Sequence, residues 1–126
     1  MTVRHILIVD DDEDIRDVAQ VALEVVGGWQ VSMASSGSEG LQIAATQQPN
    51  AILLDVMMPD MDGIETFQKL QANPATAQIP VILLTAKVQA SDRQRFVGLK
   101  VAGTIPKPFK TMTLANSVAE ILGWED

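Results

Sequence analysis

Hydrophobic residues fall into short unbroken runs, separated by longer stretches in which they recur every three or four positions. The runs are Ile6-Leu7-Ile8-Val9, Val31-Ser32-Met33-Ala34, Ala51-Ile52-Leu53-Leu54, Val81-Ile82-Leu83-Leu84 and the weaker Thr104-Ile105. Each has the length of a strand, and the first, third and fourth are apolar throughout, as parallel strands covered on both faces must be. Ser32 within the second run and Pro106 at the end of the fifth mark those two as edge strands. Strands alternating with helical stretches predict βαβ units, and hence an α/β domain built on an open, mostly parallel sheet with helices on both faces.

The helical stretches carry their own start and stop signals. Ile15, Val18, Ala19, Ala22, Leu23 and Val26 share one face, and Gly27-Gly28 supplies a stop. Ser36 with Glu39, and Asp62 with Glu65, have capping-box spacing, in which the first side chain accepts from the third amide and the Glu reaches back. One box starts a helix on Leu41, Ala44 and Ala45, the other a helix on Ile64, Phe67 and Leu70. A further helix is predicted from Ser91 to about Leu99, weakened by polar Asp92-Arg93-Gln94-Arg95 and by Gly98. The last runs from about Thr111 to Leu122 and closes at Gly123.

Composition narrows the setting. At 126 residues and 47% hydrophobic, the chain fills one core, so residues 1–126 are read as a single domain with nothing left for an output domain. Nine basic against sixteen acidic residues give a net charge of −7, which repels nucleic-acid backbones and anionic membrane surfaces. Without cysteine there is no disulfide and no thiolate metal site. No signal-peptide pattern precedes the first run, and no apolar stretch approaches the ~18 residues of a membrane span. The expectation is a cytoplasmic protein that binds neither nucleic acid nor membrane.

In open α/β sheets the ligand site lies beyond the carboxyl ends of the strands. Run one is followed there by Asp10-Asp11-Asp12-Glu13, run three by Asp55, run four by Thr85, and run five, after Pro106, by Lys107. Crowded carboxylates repel one another unless a cation joins them, and an all-oxygen donor set selects a hard ion, Mg²⁺ or Mn²⁺. Mg²⁺ with few protein ligands shares its shell with phosphate oxygens, which points to phosphoryl transfer. In such chemistry an Asp carboxylate can act as nucleophile, a lysine can neutralise the transferred oxygens, and a threonine hydroxyl can donate to them.

Ile8-Val9-Asp10-Asp11-Asp12, Leu54-Asp55 through Gly63, Leu84-Thr85-Ala86 and Lys107-Pro108-Phe109 together resemble the receiver domains of bacterial two-component response regulators. The resemblance covers essentially the whole chain. It implies a flavodoxin-like (βα)₅ fold with a doubly wound five-stranded parallel sheet of order 2-1-3-4-5. It also implies that Asp55 accepts phosphate from a phosphohistidine of a sensor histidine kinase or phosphotransfer protein. Asp11, Asp55 and the Met57 backbone carbonyl would hold Mg²⁺ directly and Asp10 largely through water, with Lys107 touching the phosphoryl group and Thr85 swinging toward it. The Lys107-Pro108 bond is expected to be cis. Such a protein is no enzyme toward external substrates, although it catalyses its own phosphorylation and dephosphorylation. It acts through a downstream protein, as a monomer or weak homodimer.

Taken singly, the residues have blander readings. Asp11 to Asp14 could be helix-capping acids, Asp55 a loop acid, Thr85 a turn residue and Lys107 a surface lysine; for Asp12 and Asp14 capping remains preferred. Asp60 and Asp62 read as turn and cap residues, Met57 and Met58 as loop and core fillers, and His5, Trp29 and Trp124 as structural. Where many receivers have an aromatic switch residue, two positions before the end of the last strand, this chain has Thr104. Signalling is therefore expected to pass through the polar, glycine-containing segment from Ser91 to Gly103. A phosphatase with an aspartate nucleophile would carry a second acid where Met57 stands, and a nucleotide-binding domain would need a glycine-rich loop after strand one. The alternative function is a phosphorylation-independent interaction module on the same fold.

Overall fold

The computed structural model of the protein describes residues 4–59, 61–85 and 100–124. Five strands form one sheet: β1 (His5–Val9), β2 (Gln30–Ala34), β3 (Ala51–Asp55), β4 (Val81–Thr85) and β5 (Gly103–Pro106). All are parallel, in the order β2-β1-β3-β4-β5, as expected. The runs assigned to edges are the edges, and the three apolar runs lie in the middle.

Four helices occur among the described residues: α1 (Glu13–Val21), α2 (Gly37–Gln47), α3 (Gly63–Ala72) and α4 (Leu114–Leu122). Because successive strand residues point to opposite faces, the sheet feeds two separate cores. Ile6, Ile8, Leu53, Ile82 and Leu84 pack with Ala19 and Leu23 of the first helical segment and Leu114, Ala115 and Val118 of α4. Leu7, Val9, Ile52, Leu54, Val81 and Leu83 pack with Ala44 of α2 and Ile64, Phe67 and Leu70 of α3. The helix expected from Ser91 to about Leu99, the Ala86 of the third motif and Asp60 lie outside the described residues.

The helix signals act largely as read. Ser36 Oγ accepts from Glu39 N at 3.1 Å, and Asp62 Oδ1 accepts from Glu65 N at 2.8 Å. Glu39 reaches one residue further back than its box requires, with Oε1 accepting from Ser35 N at 2.6 Å. Gly123 closes α4 in the left-handed conformation at φ 71°. Two departures are local. α1 ends in a π turn over Ala22–Val26 before Gly27, and α4 begins at Leu114, three residues after the predicted start. Val18 and Val26 of the predicted apolar face are exposed, so that face buries chiefly its alanines and Leu23.

Register sets the site. Val9 pairs with Leu54, so the residue after β1 lies level with Asp55, while Asp55 pairs with Leu84 and Thr85 with Pro106. Gly63 lets α3 start directly over the end of β3, its amide donating to Val56 O at 2.9 Å. A Cβ there would overlap the Asp55 carbonyl oxygen and approach Val56 Cα to 2.8 Å. Gly63→Ala is expected to destabilise the fold by about 1–3 kcal/mol, as overpacking against backbone does. An unchanged denaturant midpoint would show that α3 can withdraw from β3 without cost.

Candidate functional site

The carboxyl ends of β1, β3, β4 and β5 bring Asp10, Asp55, Thr85 and Lys107 to one edge of the sheet, with Asp11 beside them. Asp10 is fully buried and Asp55 is 3% exposed, whereas Asp11 faces solvent. Oxygens of the three carboxylates all lie within 4.8 Å of one another. Lys107 spans two of them: its Nζ stands 2.6 Å from Asp10 Oδ2 and 3.1 Å from Asp55 Oδ1. The Lys107-Pro108 peptide is cis, as the resemblance implied, and Lys107 N donates to Thr85 O at 2.7 Å. Thr85 is buried at the end of β4.

The loop between β1 and α1 is held mainly through its backbone. Asp10 N donates to Ala34 O at 3.1 Å, Asp12 N donates to Asp10 Oδ1 at 2.9 Å, and Arg16 Nη1 donates to Asp10 O at 2.8 Å. Asp12 is the N-cap of α1, accepting from Asp14 N at 2.9 Å and Ile15 N at 3.4 Å. Its assignment to capping rather than to the cluster is therefore correct. Arg16 escaped the sequence reading. The signal available was a basic residue just over a turn after four acids, on a helix whose side chains lean toward its N-terminus.

Electrostatics give the two central groups opposite roles. Burial, and then the charge on Asp10, push the Asp55 carboxyl from its ordinary 3.8 up to about 6, although Lys107 and the Met57 amide favour the ionised form. Burial disfavours the Lys107 cation, but its contacts with Asp10 and Asp55 outweigh that and raise its pKa. The ammonium stays charged while its carboxylate neighbours are short of positive charge.

An all-oxygen cluster with that deficit fits a hard divalent cation in size and in donor chemistry. Met57 N donates to Asp55 Oδ1 at 3.3 Å, while the Met57 side chain is 68% exposed and fills no core; Met58 packs on the α2–α3 side. His5 lies at the opposite end of β1, its Nε2 2.7 Å from Ser32 Oγ. Thr104 is exposed on β5 and lines a cleft of about 460 Å³ with Ile105, Pro106, Ser117, Glu120 and Ile121. Trp29 and Trp124 meet edge to face at 5.2 Å, with the Arg4 guanidinium 4.2 Å from the Trp124 ring centre.

Comparison with known proteins points the same way. The model of the response regulator receiver domain matches residues 6–119. The DNA-binding dual master transcriptional regulator RpaA of Synechocystis is 36% identical over 118 residues, covering 94% of this chain and 48% of that protein. The response regulator MprA of Mycolicibacterium vanbaalenii is 37% identical, covering 94% and 50%. The chain thus spans about half the length of these relatives. Among solved structures, the chemotaxis response regulator CheY4 of Vibrio cholerae superposes with a TM-score of 0.87 at 28% identity, covering 95% of this chain and 99% of that one. The receiver domain of the sensor histidine kinase PA1611 of Pseudomonas aeruginosa superposes at 0.85 with 26% identity, covering 97% and 99%. That structure has a magnesium ion coordinated in its active-site cleft.

The position of Asp55 generates a pH prediction. Above pH 6 its ionised form is disfavoured in the fold, so the wild type gains stability as pH falls from above 6 toward 3.8, while an asparagine does not titrate. In metal-free buffer at pH 7.5, Asp55→Asn is expected to be more stable than wild type by about 1–2 kcal/mol, part of the gain being offset by the lost contact with Lys107. The gap should close on acidification to pH 4. Denaturant titrations at the two pH values measure it, and a gap that widens on acidification would contradict the raised pKa.

Proposed function

The chain belongs to the response regulator receiver domain family of two-component signalling, and on that premise we propose that Asp55 is its phosphoacceptor. The observation that carries the reading is the Lys107 ammonium held against two buried carboxylates, beside a third that is open to solvent. One oxygen of Asp55 attacks the phosphorus of a phosphohistidine. The phosphorus–nitrogen bond breaks, its electron pair returns to the imidazole, and an acyl phosphate remains on Asp55. Lys107 offers its charge to the arriving phosphoryl oxygens, exchanging part of its contact with Asp55 for them. Thr85, on the neighbouring strand end, is the hydroxyl that detects the new group.

Asp11, Asp55 and the Met57 carbonyl would hold Mg²⁺ directly and Asp10 largely through water, and Mn²⁺ could substitute. An ion bound there would supply positive charge against the phosphoryl oxygens. The domain turns over no external substrate and catalyses only its own phosphorylation and its later hydrolysis. Its phosphodonor is a sensor histidine kinase or phosphotransfer protein, and its phosphorylated state is read by protein contact. The stand-alone role and the monomeric or weakly dimeric state belong to this proposal too. The expectation that nucleic acid plays no part is confined to these residues, whose net charge is −7, because a relative twice as long is described as DNA-binding.

Incubation with Mg²⁺ and acetyl phosphate is expected to add one base-labile phosphoryl group, seen as a mass increase. Asp55→Asn or chelation should abolish it, and Lys107→Ala should slow it by roughly 10²–10³-fold, as loss of a donor to developing charge does. Absence of an adduct from several donors would leave the phosphorylation-independent interaction module as the function.

A further inference from the structure

Three carboxylates face the candidate ion, and they are held in different ways. Asp10 and Asp55 are buried and tied by Lys107, but Asp11 is exposed, so its direction is set mainly by the backbone that carries it. The Asp10 carbonyl and the Asp11 amide belong to one rigid peptide plane. Arg16 Nη1, 2.8 Å from that carbonyl oxygen, fixes the tilt of the plane. On the far side of Asp11, Asp12 N is bound to Asp10 Oδ1 at 2.9 Å, and Arg16 N to Asp12 O at 3.1 Å. The second of these is a helical backbone bond, so the contact specific to the arginine side chain is the one to the Asp10 carbonyl.

We infer that Arg16 is a positioning residue for metal binding: its guanidinium clamps the Asp10–Asp11 peptide so that the Asp11 carboxylate points into the cluster. The inference rests on the proposed Mg²⁺ site and extends it to a residue outside the ligand set. Its electrostatic effect has the opposite sign, since a guanidinium beside three carboxylates repels an incoming divalent cation. Position and charge therefore predict opposite outcomes when Arg16 is removed. If Arg16 were only a nearby charge, its loss would tighten Mg²⁺ binding.

Calorimetric titration of the 126-residue chain with Mg²⁺ at pH 8 and fixed ionic strength separates the two. Arg16→Met is expected to raise the Kd roughly tenfold, the scale on which partners behind a ligand act. Arg16→Lys, which keeps the charge and can return one donor, should recover part of that loss and serves as the informative variant if Arg16→Met does not fold. Because the effect passes through Asp11, Arg16→Met introduced into Asp11→Asn should leave the Kd unchanged or lower it, a non-additivity that general loosening of the fold would not produce. Wild-type binding with an equal or lower Kd in Arg16→Met would overturn the inference while leaving the metal site standing. Failure of the wild type to bind Mg²⁺ would overturn the site itself, and the inference with it.

Discussion

The ammonium of Lys107 is the contact on which the functional end of the molecule depends. Asp10 and Asp55 sit on adjacent strands, both out of water, and two such carboxylates repel strongly in a medium less polar than the solvent. Lys107 reaches them from the far edge of the sheet, 97 residues along the chain from Asp10, and joins the ends of β1, β3 and β5. The pair is no simple source of stability, because desolvating three charges costs much of what their attraction returns. Its value is geometric, since it keeps two carboxylates and an ammonium in one place before any ligand arrives.

The strain left in the arrangement accords with its use. Asp55 titrates near 6 because one ammonium does not compensate both burial and Asp10. A fold optimised for stability would replace one carboxylate, and proteins keep such costly groups where chemistry needs them. The deficit of positive charge also gives a divalent ion a reason to bind, and binding would convert repulsion among carboxylates into coordination. The raised pKa of Asp55 and the fit of the cluster to a hard cation thus share one cause, the burial of acids at the carboxyl ends of central strands.

Much of this was legible in the sequence, for physical reasons that differ by element. β3 and β4 are apolar at every position before their terminal polar residue, and β1 is apolar from Ile6 to Val9, a pattern that strands covered on both faces require, and the polar residue that ends or follows each run is the residue at the site. Ser36, Asp62 and Gly123 act within one turn of their own positions, so local chemistry identifies them. What the sequence hid depends on distance or on geometry finer than periodicity. The widening of α1 into a π turn leaves the apolar spacing almost unchanged, so exposed Val26 resembles a core residue. Arg4, Trp29 and Trp124 are far apart in the chain and meet only because α4 returns to the start of the sheet. Arg16 has an ordinary helical environment in sequence, and its function lies in a carbonyl six residues back.

The same distinction bears on how the state of Asp55 leaves the site. Lys107 is bonded through its amide to Thr85 O, and Thr85 pairs with Pro106, so the ends of β4 and β5 are joined. Thr104 lies two residues before Pro106, exposed and lining the cleft against Ser117, Glu120 and Ile121 of α4. A threonine there has no ring to bury or release, so what joins Lys107 to this surface is the strand itself. The inner side of β5 is closely packed: Ile105 is buried in the core shared with Leu114 and Val118, and a Cβ on Gly103 would come within 2.8 Å of Ile121. Close packing of this kind transmits small shifts of a strand to the helix lying on it. The register of β5 against α4 therefore ties the strand end that carries Lys107 to the helix packed on it.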